Sequence, residues 1–154
     1  MDEAEPRSGQ GSPRDELNAL LSAAIDMGFK LIAKHGSHIP FAMAIDSDGQ
    51  RIDLVVDDSQ VRDVDVLTSS LLNQLRSMCG RNELRAIAFA RNVEYRSATD
   101  GSHVDAIEVN LDHVHDTAVR CMIPYRLSDS GQPAPGKLVR IDPREVFFRR
   151  SDGK

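Results

Sequence analysis

A chain of 154 residues suits a single domain, since domains most often run to about 100–150 residues. Hydrophobic residues make up 40% and charged residues 28%, the balance of an ordinary globular protein rather than a disordered or fibrous one. A net charge of −5, 5% aromatics and no Trp argue against nucleic acid, whose phosphates need accumulated Lys and Arg and whose bases need aromatic faces.

No window approaches the roughly 18 consecutive apolar residues of a membrane span, and the first residues are acidic and polar where a signal peptide is basic and then apolar. The expectation is a cytoplasmic protein without membrane contact. The two cysteines, Cys79 and Cys121, cannot form a disulfide framework and belong to no zinc-finger spacing.

Residues 1–11 carry no large apolar anchor and read as a disordered tail. The next residues start a helix: Ser12 is a suitable N-cap, Pro13 suits the first helical position, and Asp15 and Glu16 favour the positive helix end. Leu17, Leu20, Leu21, Ala24, Ile25, Leu31 and Ile32 form its apolar stripe, which Gly36 stops. Gly28 interrupts the stripe and marks either close approach of the helix to a sheet or a tolerated glycine.

Two apolar runs, 39–45 and 51–56, flank Asp46-Ser-Asp-Gly49 and read as a hairpin. In the second run Ile52, Leu54 and Val56 alternate with Asp53 and Val55, as in a strand at the sheet edge. An acidic connection over 57–65 offers Asp63 or Asp65 as the cap of a second helix, with a stripe of Leu67, Leu71, Leu75 and Met78, flanked by Leu72 and Cys79, that Gly80 closes.

Residues 84–95 begin apolar on both faces, as a central strand does. After a turn at 97–102, residues 104–111 alternate, with Ile107, Val109 and Leu111 inward and Glu108 and Asn110 outward. Residues 118–125 return, making a hairpin whose polar tip is 112–116. Pro124 belongs at an edge, a bulge or a strand end, because it cannot donate to a ladder. A flexible loop over 127–136 leads to 137–141 and 145–148, which add a short strand or cover the sheet. Residues 151–154 read as a loose end.

This order, α-β-β-α-β-β-β-tail, predicts an α+β domain over 12–150, an antiparallel sheet of about five or six strands flanked by two helices. The element order resembles the profilin-like and roadblock-like layout. His35-Gly36, Pro40-Phe41, Asp46 to Gly49, Asp105-Ala-Ile107 and Pro124-Tyr125-Arg126 resemble a family of small uncharacterised bacterial proteins. That resemblance covers about residues 17–126 and implies a single domain, with no catalytic residue to carry over.

The five histidines are the residues a metal could use. His113 and His115 stand two apart, so on a strand they would share a face, with Asp112 or Asp116 nearby as an oxygen ligand. At a hairpin tip the two rings are solvated instead, which is the preferred reading. His35 and His38 suit a structural role at the helix end, and a site combining them with His103, His113 and His115 requires the loops to converge. Asp46 to Gly49 lacks the calcium-loop pattern and reads as a turn, while Asp57, Asp58, Asp63 and Asp65 read as solvated. Both cysteines read as core thiols, since a nucleophilic thiol needs an electropositive, partly exposed setting with a base, and neither has such a setting nearby in sequence.

Residues 137–154 hold six basic against three acidic residues around Val146, Phe147 and Phe148. They form a docking arm or, as preferred, a final segment that packs its phenylalanines and leaves its arginines in water. No hydrolase elbow, zincin, P-loop or dinucleotide motif occurs. No catalytic, cofactor or metal residue is therefore assigned. The leading expectation is a non-catalytic protein-interaction or regulatory module that self-associates or binds another protein. The alternatives are a metal-dependent enzyme or metal sensor using the loop histidines, and a small-molecule sensor.

Overall fold

The first helix starts and stops where its capping chemistry lies. Ser12 is extended and its Oγ accepts the Asp15 N–H at 3.1 Å, while Gly36 takes the left-handed conformation at φ 86° that a side chain would resist. In the computed structural model, which describes residues 12–36, 40–54 and 63–148, this helix, α1, spans Pro13–His35. The expected loose ends and most of the acidic connection, with Asp57, Asp58, Val55, Val56 and His38, lie outside the described residues.

The chain continues through β1 (Phe41–Asp46), β2 (Arg51–Leu54), α2 (Val64–Gly80), β3 (Leu84–Arg96), β4 (His103–His113) and β5 (Asp116–Leu127). Two short strands follow, β6 (Pro133–Pro135) and β7 (Val139–Ile141). The expected α+β order holds, and the antiparallel sheet has seven strands in the order β2-β1-β3-β4-β5-β6, with β7 also on β5. No helix among the described residues is long and apolar enough to cross a membrane.

Asp63, rather than Asp65, caps α2, its Oδ1 accepting from the Asp65 and Val66 amides. Gly80 ends that helix, but the left-handed residue is Asn82 at φ 59°. The Asp46 carboxylate spends itself on the β1–β2 turn, accepting from the Asp48 and Gln50 amides. Pro124 departs from expectation: it lies inside β5, opposite Ala106. On the outer side of β5 it falls between the stretches paired with β7 and β6.

Strand alternation sends side chains to two opposite faces of the sheet, and each helix covers one. Below α1 lie Phe41 and Met43 of β1, Ala86, Ala88 and Ala90 of β3, Ile107, Val109 and Leu111 of β4, and Cys121 of β5. The β3 alanines leave room for close packing, and a Cβ on Gly28 would stand 2.9 Å from Ile107 Cδ1. Close approach therefore explains that glycine. Below α2 lie Ala42, Ala44, Ile87 and Phe89, joined by Leu71 and Leu75 of the helix and by Phe147 and Phe148 from the end of the chain. Arg85 is an extra residue where β3 meets β1, since Ile45 pairs with Ala86 and Asp46 with Leu84. A bulge of this kind re-aims side chains, and here it turns Leu84 to the α2 side.

Candidate functional site

Central strand β4 has one apolar and one polar row. Ile107, Val109 and Leu111 face α1 as expected, and Glu108, Asn110 and Asp112 occupy the other face. That second row is not in water: Glu108 and Asn110 are each 1% exposed and Asp112 is 0% exposed. Residues 142–148, here called the strap, lie across the row.

The three side chains work as successive grips. Asn110 Oδ1 accepts from the Arg144 and Glu145 amides at 2.8 and 2.9 Å, and its Nδ2 donates to the Glu145 carbonyl at 2.7 Å. Asp112 Oδ2 accepts from the Phe147 and Phe148 amides at 2.7 and 3.1 Å, while its Oδ1 accepts from the His113 amide. Side-chain amides and carboxylates here replace a neighbouring strand's backbone, so the strap's buried N–H groups are satisfied without sheet pairing. Contacts advance in the same direction along strap and strand, from Arg144 on Glu108 to Phe148 on Asp112.

Glu108 holds the strap by charge. Its carboxylate accepts from Arg144 through Nε and Nη2 and from Arg120 through Nη1, at 2.8–3.1 Å, with Arg91 Nε at 3.9 Å. Burial alone pushes the Glu108 carboxyl up, but the Arg144 and Arg120 bonds outweigh it and hold the group below the ordinary carboxylate value. Arg120 Nε also donates to the Asp142 carbonyl at 3.0 Å. Arg144 keeps the exposure expected of the terminal arginines, 43% of its side chain, while its guanidinium also pairs with the buried Glu108 carboxylate. At the far end Arg76 of α2 pairs with Glu145 and lies 5.3 Å over the Phe147 ring. An open cleft of about 610 Å³ remains there, lined by Arg76, Cys79, Val114 and Val146 beside the two phenylalanines.

The tip histidines are also corrected. The β4–β5 turn consists of Val114 and His115 alone, and His113 ends β4 at 2% exposure. The His115 amide donates to His113 Nδ1 at 3.0 Å, so Nε2 carries the ring proton and donates to Glu16 Oε1 at 2.8 Å. Glu16 also pairs with Arg85, and the Val114 amide donates to the Arg85 carbonyl at 2.9 Å. Burial pushes the Glu16 carboxyl up, and the bonds from Arg85 and His113 overcome this and leave it below its usual value. This arrangement ties the start of α1 to the ends of β3 and β4.

Among the described histidines, His113 and His115 have ring centroids 5.9 Å apart, but His35 and His103 do not join them. His103 and His113 sit at opposite ends of β4, about 33 Å apart at about 3.3 Å per residue. His35 is at the far end of α1 from Glu16, about 28 Å along the axis. His113 has both nitrogens engaged within the fold. Among the described residues, Glu94, His103 and Asp105 bring ligand atoms within 4.8 Å of one another. His103 and Glu94 are well exposed there, so solvent screens that trio.

Burial disfavours the thiolate at both cysteines. Burial pushes Cys79 up to about 11, helped by the Asp112 charge, and burial likewise raises Cys121. Sequence reasoning missed Glu16, Glu108, Asn110 and Arg144 as site residues. The available signal was the polar row itself: a central strand needs cover on both faces, and only the basic, phenylalanine-bearing terminus remained to supply it. No protein family, curated protein or solved structure matches this chain.

Proposed function

We propose that the chain is a non-catalytic protein-interaction module that holds an extended peptide segment on the β4 face and self-associates through such contacts. The observation that carries this reading is the grip of Glu108, Asn110 and Asp112 on backbone amides, a backbone carbonyl and one arginine of the strap. Main-chain capture with side-chain anchors is how extended peptides are recognised. The buried groups offer little to a reaction, because Glu16 and Glu108 are held ionised by arginines and both thiols are raised. A cytoplasmic setting belongs to this reading.

The test uses a fluorescent peptide with the sequence of residues 142–148, titrated into the full chain carrying Phe147→Ala and Phe148→Ala to loosen its own strap. Saturable binding is expected, weakened at least about tenfold by a further Asn110→Val, the loss of roughly 1.4 kcal/mol of hydrogen bonding. Absence of binding by a loosened chain with native circular dichroism would overturn the reading. If the double alanine chain does not fold, Arg144→Ala serves in its place.

A further inference from the structure

The seat for the strap is addressed by a sequence that every copy of the chain carries. We infer that the strap exchanges between two copies, each inserting residues 144–148 into the other's β4 groove, to give a reciprocal dimer. This rests on the interaction reading above and names its partner as a second copy.

Three observations support the exchange. First, within the strap only Asp142 and Pro143 separate the end of β7 from Arg144, the first gripped residue, so a change at this short hinge redirects the gripped segment as a unit. Proline stiffens this hinge and offers no N–H that closure would have to satisfy. Second, the grips on Asn110 and Asp112 read backbone, so a strap from another copy makes the same bonds. Reciprocal exchange conserves them and closes with two-fold symmetry. Third, apolar surface stays uncovered beside the seated strap: an open cleft of about 610 Å³ borders Phe147 and Phe148, and Val146 and Val114 at its rim are 53% and 39% exposed. A second copy brought in by its strap covers those side chains.

Because the grips are the same in both forms, concentration governs the balance. A segment tethered by a short linker acts at an effective concentration on the order of 1 mM. The exchanged fraction should therefore rise from about one chain in fifty near 10 µM to about half near 1 mM.

Cysteine trapping tests this in the full chain. Arg76→Cys is placed in one chain and Glu145→Cys in another, both with Cys79→Ser, at a surface ion pair whose side chains keep 44% and 20% exposure. The chains are mixed, equilibrated at graded concentrations and oxidised briefly. The expected result is a disulfide-linked pair of unlike chains whose share grows about 25-fold over that range, while pairing Glu145→Cys with Asp65→Cys gives no such growth. A mixture that stays unlinked near 1 mM, while one chain carrying both cysteines closes its own disulfide, would overturn exchange and leave the groove reading standing. Failure of that single chain to close would remove the seat, and both readings with it.

Discussion

The two faces of the sheet are built on different principles. The α1 face is a dry layer: leucines and Ile32 of the helix pack on Phe41, Met43, Ile107, Val109 and Leu111, and its buried charges sit at one end, where Glu16 meets Arg85 and His113. The opposite face joins a smaller apolar cluster under α2 to a row of buried polar grips on β4. Apolar burial is non-directional and fixes a fold with tolerance for shape. A polar row is directional, and each grip has value only when a particular partner group is present. The first face is held by shape-tolerant burial and the second by bonds to particular partner groups.

Substitutions on adjacent β4 residues separate these roles. Val109→Asp places a carboxylate in the α1 layer, where the native side chain is 0% exposed. It should cost several kcal/mol, comparable to a whole stability of about 5–15 kcal/mol, and abolish the cooperative melt. A normally melting variant would refute the assignment of that face. Glu108→Ala removes the shared acceptor of Arg120 and Arg144, which are 20% and 43% exposed and so partly regain water, and should cost about 1–3 kcal/mol in denaturant unfolding, with the loss falling on the strap's protection rather than on α1.

Acid should expose the same contrast more gently. Glu108 and Glu16 have carboxyl values lowered in the fold, so their stabilisation is present above the unfolded value near 4.5 and is lost as pH falls below it through the folded values. Denaturation midpoints should therefore be flat from pH 7 to about 5 and decline below about 4.5. Glu108→Gln should flatten that decline, and an unchanged slope would show that Glu108 does not contribute to it.

The β4–β5 turn gives the smallest effects. His113→Ala empties a buried site and removes a bond to Glu16, for an expected cost of about 1–3 kcal/mol. His115→Ala lies on the exposed turn and should stay within about 0.5 kcal/mol. Equal, negligible losses for both would restore the solvated-tip expectation that the structure corrects.

Local pattern carried the architecture. Ser12, Pro13 and Gly36 marked α1 to the residue, the two-sided apolar run from Leu84 placed β3 at the centre, and alternation assigned both faces of β4 correctly. What alternation could not carry was the cover over Glu108, Asn110 and Asp112. Their partners lie 34–36 residues downstream, and Glu16 meets His113 across 97 residues. A polar residue on a strand looks alike whether water or a distant segment satisfies it. The histidine pair misled for a related reason: two polar rings beside two aspartates resemble a turn, and the carboxylate that draws His113 inward belongs to the first helix.

The most direct measurement is amide hydrogen exchange at Arg144, Glu145, Phe147 and Phe148, whose N–H groups end on Asn110 and Asp112. Protection of at least about a hundredfold over the unstructured rate is expected, yet below that of the Val109 amide, because the strap opens without unfolding the α1 layer. In Asn110→Val the Arg144 and Glu145 amides should lose protection while Val109 keeps it. Unstructured rates at all four amides in the native chain would contradict the claim that β4 holds the strap.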